Sequence, residues 1–275
     1  MKKKIVIIAV LFALVVTTVL FRRYGNNEES GVLALSGNVE VTEVDLGFKT
    51  AGRVAELLAD EGDRVVKGEK MAILDSAEYQ AVVSQNRANR KSAAVALEKA
   101  TKDFDRAQML YAKEAIAGQQ MDGATAAVDM ARAQYEQAAA ALRTTETRLA
   151  DTMLYAPSDG LVLRKHVETG ETVGAGIPVL TIGDLENPWI KVYVQERSLG
   201  TVKIGQQAEI RTDSYPDKIY RGRVTVISSE AEFTPKNVQT HEERVKLVFG
   251  VKVQVKNENS ELKPGMPADV RILLK

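Results

Sequence analysis

Large apolar residues recur at every seventh position through the middle of the chain, and small residues follow them at a fixed spacing. The large ones are Met121, Val128, Tyr135, Leu142 and Leu149, and the small ones are Ala124, Ala131, Ala138 and Thr145. A less regular copy of the pattern occurs at Val83, Arg90, Leu97, Phe104 and Tyr111. Such a heptad is typical of helices that pack along one narrow stripe. The pattern therefore predicts two paired helices within residues 77–151.

A short break at residues 114–118 divides this helical region. Because a brief connection makes neighbouring helices antiparallel, we expect a coiled-coil α-hairpin with arms of about 35 residues and about 50 Å. Gly118 is expected to take the left-handed conformation that ends a helix. The stripe also fits a helical domain packed on the body of the protein, but polar residues on the other faces, such as Arg87 and Lys99, favour a projecting hairpin.

Two copies of one glycine and valine pattern flank the helical region. Three glycines have the same spacing in both copies: Gly52, Gly62 and Gly68 in the first, and Gly160, Gly170 and Gly176 in the second. Apolar residues alternate between them with the period of β-strands. Neither copy has enough apolar surface for a core of its own, so residues 36–76 and 152–186 should fold together as a small sandwich.

The last part of the chain, residues 187–275, contains several short segments that alternate apolar and polar positions, separated by turn residues. The final segment is 268–273. This arrangement predicts a small β-barrel domain.

The N-terminus carries Lys2, Lys3 and Lys4 before an apolar run, residues 5–21, that ends at Arg22 and Arg23. The run is near the lower limit for a helix that crosses a bilayer. No small-x-small cleavage site follows it, so residues 1–24 are predicted to be an uncleaved signal-anchor, with a cleaved signal peptide as the alternative. Residues 25–35 are interpreted as a linker, and the body of the protein is expected to be exported.

Charge and cysteine content exclude several kinds of function. The 37 basic and 37 acidic side chains give a formal net charge of zero, which does not favour nucleic acid. The absence of cysteine excludes disulfides, thiolate catalysis and thiolate metal sites. His166 and His241 have no neighbouring ligands at metal spacing, and no phosphate-binding loop occurs. We therefore expect no enzyme activity, no catalytic residues, no metal and no cofactor.

The turn from Gly62 to Gly68 resembles that of biotinyl and lipoyl carrier domains. In those carriers the modified lysine lies on a hairpin between the halves, whereas this chain has its helical region there and Lys70 within a predicted strand. A split lipoyl-like domain with a helical insertion, behind an N-terminal membrane segment, resembles the periplasmic adaptor, or membrane fusion protein (HlyD-like), family. The motifs that carry this resemblance include Gly37-Asn38-Val39-Glu40, Gly52-Arg53-Val54, Tyr155-Ala156-Pro157-x-x-Gly160 and the closing segment 262–270.

The resemblance implies a mixed α and β, elongated multidomain fold with an N-terminal membrane helix, a split lipoyl-like β-sandwich, an antiparallel coiled-coil hairpin and a small β-barrel. It implies the periplasmic adaptor subunit of a tripartite efflux or secretion system, anchored to the inner membrane. Its implied partners are an inner-membrane transporter, a TolC-like outer-membrane channel and further copies of itself in a ring, either a trimer or a hexamer. The loop 233–238 resembles the YbhG-like branch, which implies an ABC transporter. The membrane-proximal domain of some relatives is expected to be absent or rudimentary.

The tip of the hairpin in this family often carries the pattern Arg-x3-Leu-x6-Ser, which meets the outer-membrane channel. Arg106 and Leu110 match it, and Ala117 stands at the serine position. Ordinary helix positions, with Arg106 solvated and Leu110 partly packed, are the other interpretation of these residues. Two other functions stay open at this point: a biotinyl or lipoyl carrier domain of a multienzyme complex, and a coiled-coil scaffold without a transport role.

Overall fold

The computed structural model describes residues 31–233 and 247–274, which form two compact units. The sandwich unit is Thr42–Asp184, and the barrel unit comprises the described residues before and after it. The predicted signal-anchor, His241 and most of the loop 233–238 lie outside the described residues. Within the described ranges, no helix is long and apolar enough to cross a membrane.

Eight short strands build the sandwich itself, in two four-stranded sheets with the orders β2-β9-β7-β4 and β6-β5-β3-β8. The strands are β2 (Glu43–Gly47), β3 (Gly52–Leu57), β4 (Arg64–Val65), β5 (Lys70–Leu74), β6 (Met153–Tyr155), β7 (Gly160–Lys165), β8 (Thr172–Val173) and β9 (Pro178–Gly183). Each sheet takes strands from both copies of the sequence pattern. The largest fully buried side chains between the sheets are Phe48, Met71, Leu74, Leu180 and Ile182. The two halves therefore share one core, as the sequence predicts.

The two halves also exchange equivalent backbone contacts. The Gly62 N–H donates to the Val162 carbonyl at 2.9 Å, and the Gly170 N–H donates to the Val54 carbonyl at 2.8 Å. The paired strands repeat this relationship, since β4 lies against β7 and β3 lies against β8. The two glycines are separated by the same number of residues as the two valines, and this number is also the separation of the two sequence copies. The repeat in the sequence is thus an internal two-fold relationship in the structure.

Two long helices, α1 (Ala77–Tyr111) and α2 (Gly118–Ala150), connect the halves and pack against each other. Their buried residues all belong to the predicted stripe: Val83, Val128, Ala131 and Leu142. Arg87, near the start of α1, lies 3.4 Å from the Glu146 carboxylate near the end of α2, so the helices run antiparallel. The predicted helical pair is present, while the supercoiling of a coiled coil stays a prediction.

Hydrogen bonds at the base join the helices to the sandwich. The Tyr79 hydroxyl donates to the Ala51 carbonyl at 2.7 Å and accepts from the Thr50 hydroxyl at 2.6 Å. On the neighbouring turn, the Arg53 guanidinium lies 2.9 Å from the Asp75 carboxylate. These contacts attach the first turn of α1 to the residues at the start of β3, which pairs with the strand that precedes the helix.

Six strands close the barrel in the order β1-β10-β13-β12-β11-β14. They are β1 (Val32–Glu40), β10 (Trp189–Gln195), β11 (Gln207–Thr212), β12 (Tyr215–Phe233), β13 (Leu247–Val255) and β14 (Pro267–Leu273), with the short helix α3 (Glu196–Leu199) after β10. The predicted division assigned residues 25–35 to a linker and the next strand to the first sandwich half. The structure instead places β1 in the barrel, where it pairs with β10 and β14 and leaves neither of them as a free edge.

A polar cluster on the barrel surrounds Glu261. Its carboxylate accepts a hydrogen bond from the Tyr220 hydroxyl at 2.7 Å and an ion-pair contact from Lys218. The hydrogen bonds from Lys218 and Tyr220 hold the pKa of Glu261 below its ordinary value. Burial, together with the neighbouring Glu261 carboxylate, raises the pKa of Tyr220. The cluster therefore depends on an ionised Glu261.

Candidate partner-binding site

The turn between α1 and α2 forms the tip of the helical pair and begins with two nested hydrogen bonds. The Leu110 carbonyl accepts from the Ala115 N–H at 2.9 Å, and the Tyr111 carbonyl accepts from the Glu114 N–H at 2.9 Å. This is the Schellman arrangement, which satisfies carbonyls that a helix end leaves free. It places Glu114 in the left-handed conformation, with φ of 57°.

The expectation for Gly118 is therefore wrong. Gly118 is the first residue of α2, and its φ is not in the left-handed range. The two hydrogen bonds of the turn place the left-handed residue four positions before Gly118, at Glu114. Glycine normally occupies this position because a Cβ atom clashes there with the backbone. The turn thus forms without the residue that usually marks it in a sequence.

Arg106 and Leu110 lie one helical turn apart near the end of α1, so they share one side of the helix. The Arg106 side chain is 69% exposed and lies 3.5 Å from the Asp103 carboxylate. An exposed ion pair of this kind contributes little stability, so the guanidinium can exchange it for a partner's carboxylate or carbonyl. Leu110 is 39% exposed and could enter an apolar groove. Both side chains are thus accessible to a partner.

Ala117 is the N-cap residue of α2, with the extended backbone that such residues have (φ −75°, ψ 153°). Its carbonyl accepts from the Gln120 N–H at 2.9 Å, but no side chain caps the helix. A serine at this position would supply a hydroxyl to one of the free N–H groups of the first turn. Ala117 offers a partner no polar side-chain atom, so any contact it makes is through its methyl group or backbone.

Two further residues at the tip have exposed apolar side chains that the sequence pattern did not reveal. Met109 is 62% exposed and Tyr111 is 50% exposed, on either side of Leu110. The heptad assigned Tyr111 to the packed stripe, but α1 ends there and leaves it uncovered. We call Met109, Leu110 and Tyr111 the tip patch. Successive helix positions project about 100° apart, so these side chains surround the end of α1, where exposed apolar groups favour contact with another protein.

Hydrogen bonds link His166, Thr181 and Asp45 in the sandwich unit. The Thr181 hydroxyl donates to the Asp45 carboxylate at 2.6 Å, so it must accept from His166 Nε2, which lies 2.7 Å away. Thr181 is fully buried and its one proton is engaged with Asp45, so it is not placed as a nucleophile. Among the described residues, no group of three or more histidine, aspartate or glutamate side chains could hold a metal.

Comparisons with known protein families match both units. Residues 42–184 match the model of the CzcB-like barrel-sandwich hybrid domain, and residues 188–274 match that of the CusB-like β-barrel domain. A UPF0194 membrane protein of Yersinia pseudotuberculosis is 33% identical over 322 aligned positions, which cover 98% of this chain and 98% of that protein.

Solved structures share the fold across most of the chain. The membrane fusion protein Spr0693 from Streptococcus pneumoniae has a TM-score of 0.69 at 23% identity, covering 88% of this chain and 99% of that one. MacA from Actinobacillus actinomycetemcomitans has a TM-score of 0.68 at 22% identity, covering 89% of this chain and 79% of that one.

Proposed function

The chain belongs, with the UPF0194 membrane proteins, to the periplasmic adaptor or membrane fusion protein family, and we propose on this premise that it joins an inner-membrane transporter to an outer-membrane channel. In this function the protein catalyses no reaction. It binds one partner in each membrane and provides a connection for an efflux or secretion system. The N-terminal segment, residues 1–24, anchors it to the inner membrane, and its body lies in the periplasm.

The observation that carries the proposal is the exposed tip patch at the end of two helices that pack mainly on each other. Met109, Leu110 and Tyr111 are at least 39% exposed, although their helix continues a stripe that is covered closer to the sandwich. In our proposal Leu110 enters a groove between channel helices. Arg106 makes charge-assisted hydrogen bonds to channel carbonyls or carboxylates. Ala117 lies at the edge of this contact, without the hydroxyl that relatives often have.

The inner-membrane partner in this proposal is an ABC transporter. It is supported by the resemblance of the loop 233–238 to the YbhG-like branch, and the chain carries no phosphate-binding loop of its own. Several copies stand side by side in a ring, so that their paired helices, as coiled coils, together reach the channel. In this proposal residues 77–151 are the hairpin, and the flanking halves form one lipoyl-like domain. The strand β1 belongs to the barrel.

Photo-crosslinking in cells tests the channel contact. A photoreactive amino acid at Met109 should give a crosslink to an outer-membrane channel protein. The same amino acid at Val95, which is 60% exposed on the middle of α1, should not. A crosslink from Val95 but not from Met109, or from neither position in cells with working export, would contradict the proposed tip contact.

A deletion strain tests the transport function itself. Loss of the gene should lower resistance to at least one compound in a broad susceptibility panel, and the intact chain should restore it. An unchanged profile would favour a scaffold without a transport role. An added biotinyl or lipoyl mass on the purified protein would instead favour a carrier domain.

A further inference from the structure

A basic groove lies on the outer surface of the barrel across β11, β12 and β13. It has a volume of about 520 Å³, and its cationic residues are Arg221, Arg223 and Lys256. Val224, which follows Arg223, and Val255, which precedes Lys256, are buried in the barrel core. Alternation along the strands therefore directs the cationic side chains outward.

Strand register brings polar side chains into this groove. Arg223 lies between two glutamines, opposite Gln207 on β11 and opposite Gln254 on β13. Arg221 is two residues earlier on the same face of β12, about 7 Å along the strand. Lys256 directly follows Val255, which is the register partner of Gly222. The groove thus combines three cations with amide groups that can donate hydrogen bonds.

Cations outnumber carboxylates among the residues that line the groove. In the part of the chain that the structure describes, Arg221, Arg223 and Lys256 make no ion pair. One carboxylate, Glu209, also lines the groove, and its register partners are Arg221 and Arg271. Because three cations and one carboxylate line it, the groove has a net positive charge. Such a groove favours an anionic ligand, and arginine suits phosphate oxygens because it can donate two hydrogen bonds at once.

The barrel strand that follows the predicted membrane anchor reaches this groove. Val32, the first residue of β1, is the register partner of Leu273, and Leu273 lines the groove. The ten residues from Arg22 to Val32 can span at most about 35 Å when fully extended. If the anchor lies in a bilayer, which is part of the proposed function, the start of β1 lies within about 35 Å of the lipid head groups, and the groove beside it can reach them.

We propose that the basic groove binds the phosphate groups of anionic phospholipids in the membrane that holds the N-terminal anchor. Arg221 and Arg223 bind phosphate oxygens, Lys256 adds charge, and Gln207 and Gln254 donate hydrogen bonds to head-group oxygens. A basic residue near an anionic bilayer contributes about 1 kcal/mol. That corresponds to about a fivefold change in the ratio of bound to free groove for each cation.

The experiment uses the full chain in lipid nanodiscs. The chain has no cysteine, so Thr225→Cys supplies one attachment site for a fluorescent donor at a groove-lining position outside the proposed contacts. Energy transfer to an acceptor on lipid head groups then reports groove binding in phosphatidylcholine discs with or without phosphatidylglycerol. We expect more transfer with phosphatidylglycerol, and loss of that increase at high salt.

Two pairs of charge substitutions distinguish an effect of the groove from an effect of the protein's net charge. Arg221→Glu with Arg223→Glu should reduce the bound-to-free ratio at least about 25-fold, from the fivefold effect for each cation. Arg197→Glu with Lys203→Glu changes the net charge equally at exposed positions outside the groove and should leave the ratio nearly unchanged.

Retention of the protein in discs of either lipid tests the anchor separately. A chain that is not retained would overturn both the anchoring and the lipid site. A retained chain with equal transfer in both lipids, or equal loss in both charge variants, would overturn the lipid site alone. That result would favour an acidic segment of a partner protein as the ligand of the groove.

Discussion

Gly62 and Gly170 are equivalent residues of the two sandwich halves, and each donates its backbone N–H to a valine carbonyl of the other half. Both have a left-handed backbone, with φ of 92° and 94°. Their hydrogen bonds cross in opposite directions between the halves. The sandwich is thus closed at two related turns, and each turn depends on a glycine conformation.

Substitution of either glycine by alanine should destabilise the protein by about 1–2 kcal/mol, because the added Cβ strains the left-handed backbone. The effects should be nearly equal at the two sites, since nothing lies within 4 Å of a Cβ at either one. Thermal unfolding of Gly62→Ala and Gly170→Ala measures this. Gly123→Ala, within α2 and equally uncrowded, should instead stabilise by about 0.5–1 kcal/mol. A neutral effect at Gly62 would contradict the strain argument.

Glu114→Gly should stabilise the turn between the helices by about 1 kcal/mol, because glycine takes a left-handed conformation without the Cβ clash. The measurement is the thermal midpoint of the full chain. Glu114→Ala removes the carboxylate but keeps the Cβ, so it should give much less gain. Equal stabilisation by both variants would point to charge and not to backbone conformation.

Ala117→Ser should stabilise α2 by about 1 kcal/mol, because the hydroxyl can cap a free N–H group of the first helical turn. Ala117→Val adds bulk without a hydroxyl and serves as the control for size. Circular dichroism during thermal unfolding would report the change. If serine and valine behave alike, the N-cap geometry at this position does not control helix stability.

Arg106→Asp and Leu110→Asp should each reduce transport and the crosslink from Met109 to the channel, while protein levels stay constant. Loss of hydrogen bonds to a charged group costs about 1.5–3 kcal/mol, which weakens channel affinity roughly tenfold or more. Arg132→Asp is the matched control, since Arg132 is exposed on α2 and outside the tip. Normal transport by Arg106→Asp would remove this residue from the proposed contact.

The barrel should lose stability in acid partly through Glu261. Hydrogen bonds from Lys218 and Tyr220 lower its pKa below the ordinary value of 4.5. The stability they contribute is therefore present above pH 4.5 and is lost as the pH falls through the lowered pKa. Glu261→Gln should be less stable at neutral pH and lose less on acidification. Glu258→Gln, at a neighbouring exposed position, should keep the acid dependence of the native chain.

Periodic patterns predicted most of the secondary structure because burial on one face imposes a period on the sequence. The stripe through Val128 and Leu142 is buried as expected, and the repeated glycines mark equivalent turns. The position of β1 was not predictable in the same way. A strand alternates identically in a barrel and in a sandwich, and its neighbours are more than a hundred residues away in the sequence.

The candidate site was predictable only in part. The spacing of Arg106 and Leu110 gives their common side of a helix, but not that Tyr111 leaves the packed stripe at the helix end. Glu114 gives no sign of its left-handed backbone, because glutamate has no preference for that conformation. The basic groove depends on which strands pair and in what register, so Arg223 and Gln254 become neighbours only in the folded barrel.

The pairing of β1 with β14 sets an order of assembly during synthesis. The first described strand has its register partners in the final barrel strand, with Val32 opposite Leu273. The barrel cannot close until the ribosome has delivered β14, whereas the helices between Ala77 and Ala150 need only local contacts. We therefore expect β1 to wait as an exposed strand while the paired helices and the sandwich form. This interval is when a chaperone of the export pathway would have an unpaired edge to protect.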